Sequence, residues 1–158
     1  MAVTRLALIA CLAVAVASSV GLAVLSTVYL EGLSPLVTFM EAPVMLKLAM
    51  LWSALAAFCG GALILVSLFF RPGAGQNPSS LEILLWLAAA AACSIAALGA
   101  AYGEMNTQLA IAAVGPVSFG VTAPGRAEAL LCLALGFWPA TACLLAQTRL
   151  AARRRAAD

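Results

Sequence analysis

The sequence predicts an all-α integral membrane protein, a bundle of four transmembrane helices that forms a single transmembrane domain over residues 1–158. Three observations predict this fold class. Hydrophobic residue types make up 65% of the chain, charged types only 9%, and the mean hydropathy is +1.12. A soluble domain carries about 25% charged residues, and so short a chain could not otherwise cover its surface. The apolar residues also fall into runs of the roughly 20 residues that cross a bilayer.

The first two spans are predicted at residues 6–30 and 44–70. The first contains no charged residue, and the second is interrupted only by Lys47 near its start. Between them, Pro35 and Pro43 bracket a predicted loop that carries Glu31 and Glu41. The second span is followed by a loop at 71–80 rich in Gly, Pro, Asn and Ser, which are typical helix breakers.

The last two spans are predicted at residues 81–113 and 124–150. Ser80 and Glu82 favour a helix start, while Gly115 and the proline after it favour a stop. Pro124 suits the first turn of the last helix, where its missing N–H is not needed. The third span contains an alanine-rich stretch at 88–101, and small residues of this kind let helices approach closely in lipid.

The charges predict the orientation of the spans in the membrane. Arginines cluster on one side of the four-span arrangement and include the topology anchors near the C-terminus: Arg5, Arg71, Arg149, Arg153, Arg154 and Arg155. The glutamates at 31, 41 and 104 fall on the other side, while Lys47 and Arg126 break the pattern. Positive residues favour the cytoplasmic side, so we expect both termini in the cytoplasm.

The first apolar run has a second reading. Arg5, an apolar core and the small residues up to position 19 also fit a signal peptide, whose cleavage would leave three spans. The run continues without a break to residue 25, and this favours a retained helix.

Several functional classes are excluded by what the sequence lacks. The chain has no histidine, and its five cysteines stand singly within apolar runs, so we expect neither a metal site nor a cofactor. There is no nucleophile with a candidate base and no phosphate-binding loop, so an enzyme is not expected. Apart from the C-terminal arginines there is no basic patch, so nucleic acid is not an expected partner.

Two glutamates near the membrane interior are the candidate functional groups. Ionisable residues are costly there and often mark ion paths. Glu104 lies towards the end of the third span and Glu128 lies in the first predicted turns of the fourth. The alternative for Glu128 is structural, because a carboxylate near a helix N-terminus is stabilised by the helix dipole.

The second half of the chain carries a more specific pattern. It contains Leu98-Gly99-Ala100-Ala101-Tyr102-Gly103-Glu104-Met105, then Ala123-Pro124-Gly125-Arg126-Ala127-Glu128-Ala129-Leu130, with Gly136 eight residues after Glu128, and ends on Gln147-Thr148-Arg149-Leu150. Over residues 97–150 this resembles the MotA/TolQ/ExbB proton-channel family, whose last two helices carry a Gly-Thr-Val-x-Gly and an Ala-Pro-Gly-x-Ala-Glu-Ala-Leu pattern.

The resemblance implies a pentamer of such subunits around a pore that holds helices of a single-span partner of the MotB/TolR/ExbD type. Proton flow would then drive mechanical or transport work. Glu128 matches the glutamate of the motif, and helix-packing and turn positions are matched by Gly99, Gly103, Pro124, Gly125 and Gly136.

This chain departs from the family pattern at the pore. The two expected pore threonines align with Ala100 and Leu133, which cannot pass on a hydrogen bond. Arg126 replaces an apolar residue near the outer mouth, and the long cytoplasmic segment of the family is missing. Two alternatives therefore stand beside the channel subunit: a non-conducting structural or assembly protein of the same fold, and a small four-helix transporter.

Overall fold

The described part of the chain forms five helices, four of which are long and apolar enough to span a membrane. The computed structural model describes residues 2–29, 34–69, 80–115 and 117–156. The helices are α1 (Ala2–Val28), α2 (Pro35–Glu41), α3 (Val44–Phe69), α4 (Ser80–Val114) and α5 (Phe119–Arg155). No strand occurs in the described ranges, so the predicted all-α fold, a membrane bundle of four transmembrane helices, is confirmed.

The short helix α2 lies where a loop was predicted. Ser34 caps it: the Ser34 hydroxyl accepts a hydrogen bond from the backbone N–H of Val37 at 3.4 Å, and Pro35 occupies the first turn. A Ser-Pro pair is a good helix start because proline does not need its N–H in the first turn. The predicted loop residues Glu31 and Arg71 lie outside the described residues.

The helix starts also differ from those expected. α1 begins four residues before position 6, because a single Arg5 near a helix end does not interrupt the backbone ladder. α5 begins at Phe119, five residues before the predicted start, so Pro124 is its sixth residue and not in the first turn. Glu128 therefore lies in the third turn of α5, away from the helix N-terminus that favoured a purely structural role.

The turn between α4 and α5 is built on a left-handed glycine. Gly115 has φ +89° and its N–H bonds the carbonyl of Ile111 at 2.9 Å, which ends α4 where the sequence predicted a stop. We call this side of the bundle the loop end and the opposite side, where α5 finishes, the C-terminal end. Leu25 packs near Ala123 and Cys11 near Leu144, so the N-terminus of α1 lies at the C-terminal end.

Helix α5 is the centre of the bundle, and it contacts every other helix. Its closest approach is to α4. A Cβ built on Gly136 would overlap the Cβ of Ala96 and lie 2.7 Å from the carbonyl oxygen of Ala92. A Cβ built on Gly99 would lie 2.6 Å from the sulfur of Cys132. The alanine-rich stretch of α4 therefore packs against α5 with glycines at the tightest points.

An ion pair joins the same two helices at the C-terminal end. The Nη1 atom of Arg154 lies 3.1 Å from the Oε2 atom of Glu82, and Glu82 is only 3% exposed. The start of α4 is thus tied to the last turn of α5 by a charge-assisted hydrogen bond.

The α4–α5 contact predicts that one methyl group will destabilise the protein. We expect Gly136→Ala to lower the free energy of unfolding by about 1–3 kcal/mol, because the backbone of α4 would have to move. Denaturant titration in detergent micelles, followed by circular dichroism, measures this change.

The matched control is Gly61→Ala on α3, because a Cβ at Gly61 meets no atom within 4 Å. That substitution should leave stability unchanged or raise it slightly, since alanine is the better helix former. Equal effects at the two positions would contradict the packing described.

Candidate functional site

Two cavities open at the loop end, one on each side of α5. We call the first, between α2, α3, α4 and α5, the polar cleft, and the second, between α1, α4 and α5, the lateral groove. The polar cleft has a volume of about 340 Å³ and the lateral groove about 710 Å³. Both cavities share α5 as a wall, and its residues between 119 and 133 that line a cavity line only one of the two.

The polar cleft collects hydrogen-bonding side chains from α2, α4 and α5. Its polar lining comes from Glu41, Tyr102, Asn106, Thr107, Thr122 and Glu128. The Thr107 hydroxyl donates to the Gly103 carbonyl at 3.0 Å and the Thr122 hydroxyl to the Phe119 carbonyl at 3.0 Å. Both oxygens keep lone pairs, so each can still accept a hydrogen bond from water or a ligand.

Glu128 is half-buried at this cleft, and Glu41 and Lys47 are the charges that act on it. Glu41 ends α2, and Lys47 lies on the first turn of α3. Two carboxylates therefore line the cleft, and the ammonium group of Lys47 lies on the adjoining first turn of α3. Such a group of opposite charges can hold and exchange a proton or bind a small cation.

Glycines shape the floor of the cleft. A Cβ at Gly125 would lie 2.6 Å from the Oγ1 atom of Thr107, and one at Gly103 would lie 3.5 Å from the Cβ of Ala129. Gly125 therefore lets α4 and α5 approach closely beside Thr107, whereas the spacing at Gly103 is an ordinary van der Waals contact.

The lateral groove is mostly apolar. α1 contributes Gly21, Val24, Leu25 and Tyr29, α4 contributes Ala100 and Glu104, and α5 contributes Phe119, Arg126, Ala129, Leu130 and Leu133. Cys11 and Cys93 bring α1 and α4 together nearer the C-terminal end, with their sulfur atoms 3.6 Å apart. The two helices therefore meet at one end and enclose the groove at the other.

Arg126 is the unusual residue of the groove. Its guanidinium carbon lies 4.8 Å from the centroid of the Phe119 ring, a cation–π contact, and its Nε atom is buried without a hydrogen-bond partner among the described residues. Phe119 in turn packs against Tyr29 with the two rings tilted by 59°, at 4.9 Å between ring centroids. Glu104 accepts a hydrogen bond from Gln108 at 2.8 Å and forms no ion pair with Arg126.

The structure separates the four residues proposed for a proton path or pore. Ala100, Leu133 and Glu104 line the lateral groove, whereas Glu128 lines the polar cleft. Sequence reasoning missed Glu41, Asn106 and Thr107 as neighbours of Glu128. The Ser-Pro start of α2 could have indicated that Glu41 ends a helix, but only the three-dimensional arrangement brings it to the cleft.

The described residues contain no group of three or more His, Cys, Asp or Glu side chains that could hold a metal ion. The cysteines are free thiols, and those at 11, 132 and 143 are buried between helices. The chain matches no protein-family model, no curated protein and no solved structure.

The polar cleft should admit water. In a cysteine-free background we expect Asn106→Cys to react with a charged, membrane-impermeant thiol reagent, because Asn106 lines the cleft. Mass spectrometry of protein in liposomes measures the labelled fraction.

Met105→Cys is the control one residue away, because Met105 is 51% exposed on the outer surface of the same helix and does not line the cleft. A thiol surrounded by lipid stays protonated and reacts slowly. Labelling of position 105 as fast as position 106 would show that depth, and not the cleft, decides access.

Proposed function

We propose that this chain is a subunit of a proton-channel or stator-type complex of the MotA/TolQ/ExbB kind, which couples proton flow across a bacterial inner membrane to mechanical or transport work. One observation carries the proposal: Glu128, the glutamate of the Ala-Pro-Gly-Arg-Ala-Glu motif, is half-buried on a membrane-spanning helix and faces a polar cleft. A carboxylate at such a position is costly to keep unless it serves an ion path.

The chemistry of the cleft supports a role in proton entry. Glu128 and Glu41 both line the cleft, so either carboxylate can exchange a proton with water there. Tyr102 and Thr107 add hydroxyl groups that can donate and accept hydrogen bonds. In this proposal the cleft delivers protons to the bundle from the side opposite the C-terminal arginines.

The lateral groove supports a role in assembly. Ala100 and Leu133, the positions that the resemblance assigns to the pore, line this one groove with the small residues Gly21 and Ala129. Small residues allow another helix to approach closely. The occupant we propose is the apolar helix of a single-span partner of the MotB/TolR/ExbD type, within a homo-oligomer for which the resemblance suggests a pentamer.

Arg126 gives the proposed partner a further feature. Its positive charge lines an apolar groove, where it is costly unless an opposite charge lies nearby. An acidic side chain on the partner helix, at the depth of Arg126, would compensate that charge.

A non-conducting assembly subunit of the same fold is the second candidate. The groove carries no hydroxyl at positions 100 and 133, and Arg126 would repel cations that approach from the loop end. If protons do not pass through this groove, the chain would hold its partner without conducting. The transporter alternative has less support, because the polar cleft lies at one end of the bundle and not at mid-membrane.

For the orientation we propose that both termini face the cytoplasm. The C-terminal end of the bundle carries Arg5, Arg149, Arg153, Arg154 and Arg155, and the loop end carries Glu41, Glu104 and Glu128. Positive charge accumulates on the cytoplasmic side of inner-membrane proteins. The polar cleft would then open towards the periplasm.

Proton flux into liposomes tests the proposed function. The purified chain is reconstituted with and without a co-expressed single-span protein of the MotB/TolR/ExbD type, and flux is followed with a pH-sensitive dye. We expect partner-dependent flux that falls to the level of protein-free liposomes in Glu128→Gln, because glutamine cannot release a proton.

Glu104→Gln is the matched control, since Glu104 is also half-buried near the loop end but lines the lateral groove. It should keep most of the flux. Loss of flux in Glu104→Gln alone would move the proton path to the groove. Absence of flux in every combination, from folded and oligomeric protein, would favour the assembly subunit.

A further inference from the structure

A third cavity lies at the C-terminal end, between the last turns of α3 and α5. Its volume is about 210 Å³. The walls are formed by apolar side chains of α3, including Ile64 and Leu68, and of α5, including Leu145 and Ala146. Arg149 and Arg153 stand at its mouth. The apolar slot can accommodate a hydrocarbon chain, and the two arginines can bind an anionic group. Together they fit an amphiphilic anion.

The two arginines are not neutralised by this chain. Arg149 and Arg153 are four residues apart, so they lie on one face of α5. Both are exposed, neither forms an ion pair within the described part of the chain, and no acidic residue lines the slot. By contrast, Arg154 turns towards α4 and pairs with Glu82. Arg149 and Arg153 therefore present two uncompensated charges beside an apolar surface.

The level of the slot matches the interface of a bilayer. α3 ends at Phe69 and α5 at Arg155, so the mouth lies among the last turns of both helices. α5 has 37 residues, more than the roughly 20 that cross the hydrocarbon core, so its end extends beyond that core. Arginines at this level meet phosphate groups, while the slot behind them remains in contact with acyl chains.

We propose that this slot is a binding site for an anionic phospholipid of the leaflet at the C-terminal end. The Arg149 and Arg153 guanidinium groups bind the phosphate, each through paired N–H donors, and one acyl chain lies along Ile64, Leu68 and Leu145. A soluble phosphate would use the mouth and leave the apolar walls in contact with lipid tails. The combination therefore favours a lipid, and this site does not depend on proton conduction.

Binding of lipid to the purified protein tests the site. Native mass spectrometry from detergent micelles compares phosphatidylglycerol with phosphatidylcholine of the same acyl chains. We expect wild-type protein to retain phosphatidylglycerol preferentially, and Arg149→Gln with Arg153→Gln to weaken that binding about tenfold, since each arginine near the membrane surface contributes attraction for anionic lipid.

The matched control removes the same charge elsewhere at that end: Arg5→Gln with Arg155→Gln, both exposed and outside the slot. This variant should bind phosphatidylglycerol as the wild type does. If the two double variants lose binding equally, the attraction comes from net charge alone and the site is wrong.

A second variant tests the contribution of the apolar slot to lipid binding without changing the charge of the two arginines. Ala142 lines the slot, and Ala142→Leu should fill part of it and weaken phosphatidylglycerol binding severalfold. Ala91→Leu, at an exposed position of α4, should not. Unchanged binding in Ala142→Leu, or displacement of the lipid by inorganic phosphate at equal concentration, would overturn the lipid assignment. A thermal unfolding curve for each variant confirms that it is folded.

Discussion

The close contact between α4 and α5 is the constraint on which the rest of the bundle depends. Lipid offers no hydrophobic force between helices, so they associate through close packing and a few polar bonds. Gly136 lets α5 meet the Ala92–Ala96 surface at backbone distance, and Gly99 makes room for Cys132. The Glu82–Arg154 pair fixes the same two helices at the C-terminal end. With this pair fixed, α1 and α3 need only pack against the surfaces that α5 leaves free.

The position of α5 also explains why the candidate groups divide. A helix packed on all sides presents residues of one segment to different neighbours. Arg126 and Glu128 are two positions apart, so their side chains point to different sides of α5. Arg126 consequently meets the α1 side and Glu128 the α3 side. The division assigns proton handling and partner binding to different cavities, as proposed above. The arginine side of the bundle then provides the contact with lipid.

The sequence predicts the number of membrane-spanning helices because hydropathy reflects the surrounding solvent, and lipid requires long apolar segments. It located the ends less well. The sequence does not predict α2, because seven residues are too few to show a hydropathy pattern. It predicts the start of α5 too late, because proline is most common in the first turn of a helix and Pro124 lies further along α5. The glycines at 99, 125 and 136 were named from the motif. The polar cleft could not be predicted, since apolar residues surround α4 and α5 and periodicity does not indicate which neighbour each residue meets.

A lateral groove that can hold a partner helix requires α1 to meet α4 near the C-terminal end and to diverge from it towards the loop end. Oxidative cross-linking with the chain's own cysteines tests this claim, and peptide mass spectrometry identifies the linked pairs. Cys11 and Cys93, with sulfur atoms 3.6 Å apart, should form a disulfide after a small movement. The second pair is Val24→Cys with Ala100→Cys, on opposite walls of the lateral groove, in a protein whose Cys11 and Cys93 are replaced by serine. This pair should not form a disulfide. Linkage of the engineered pair without linkage of the native pair would contradict the arrangement of α1 and α4 on which the lateral groove depends.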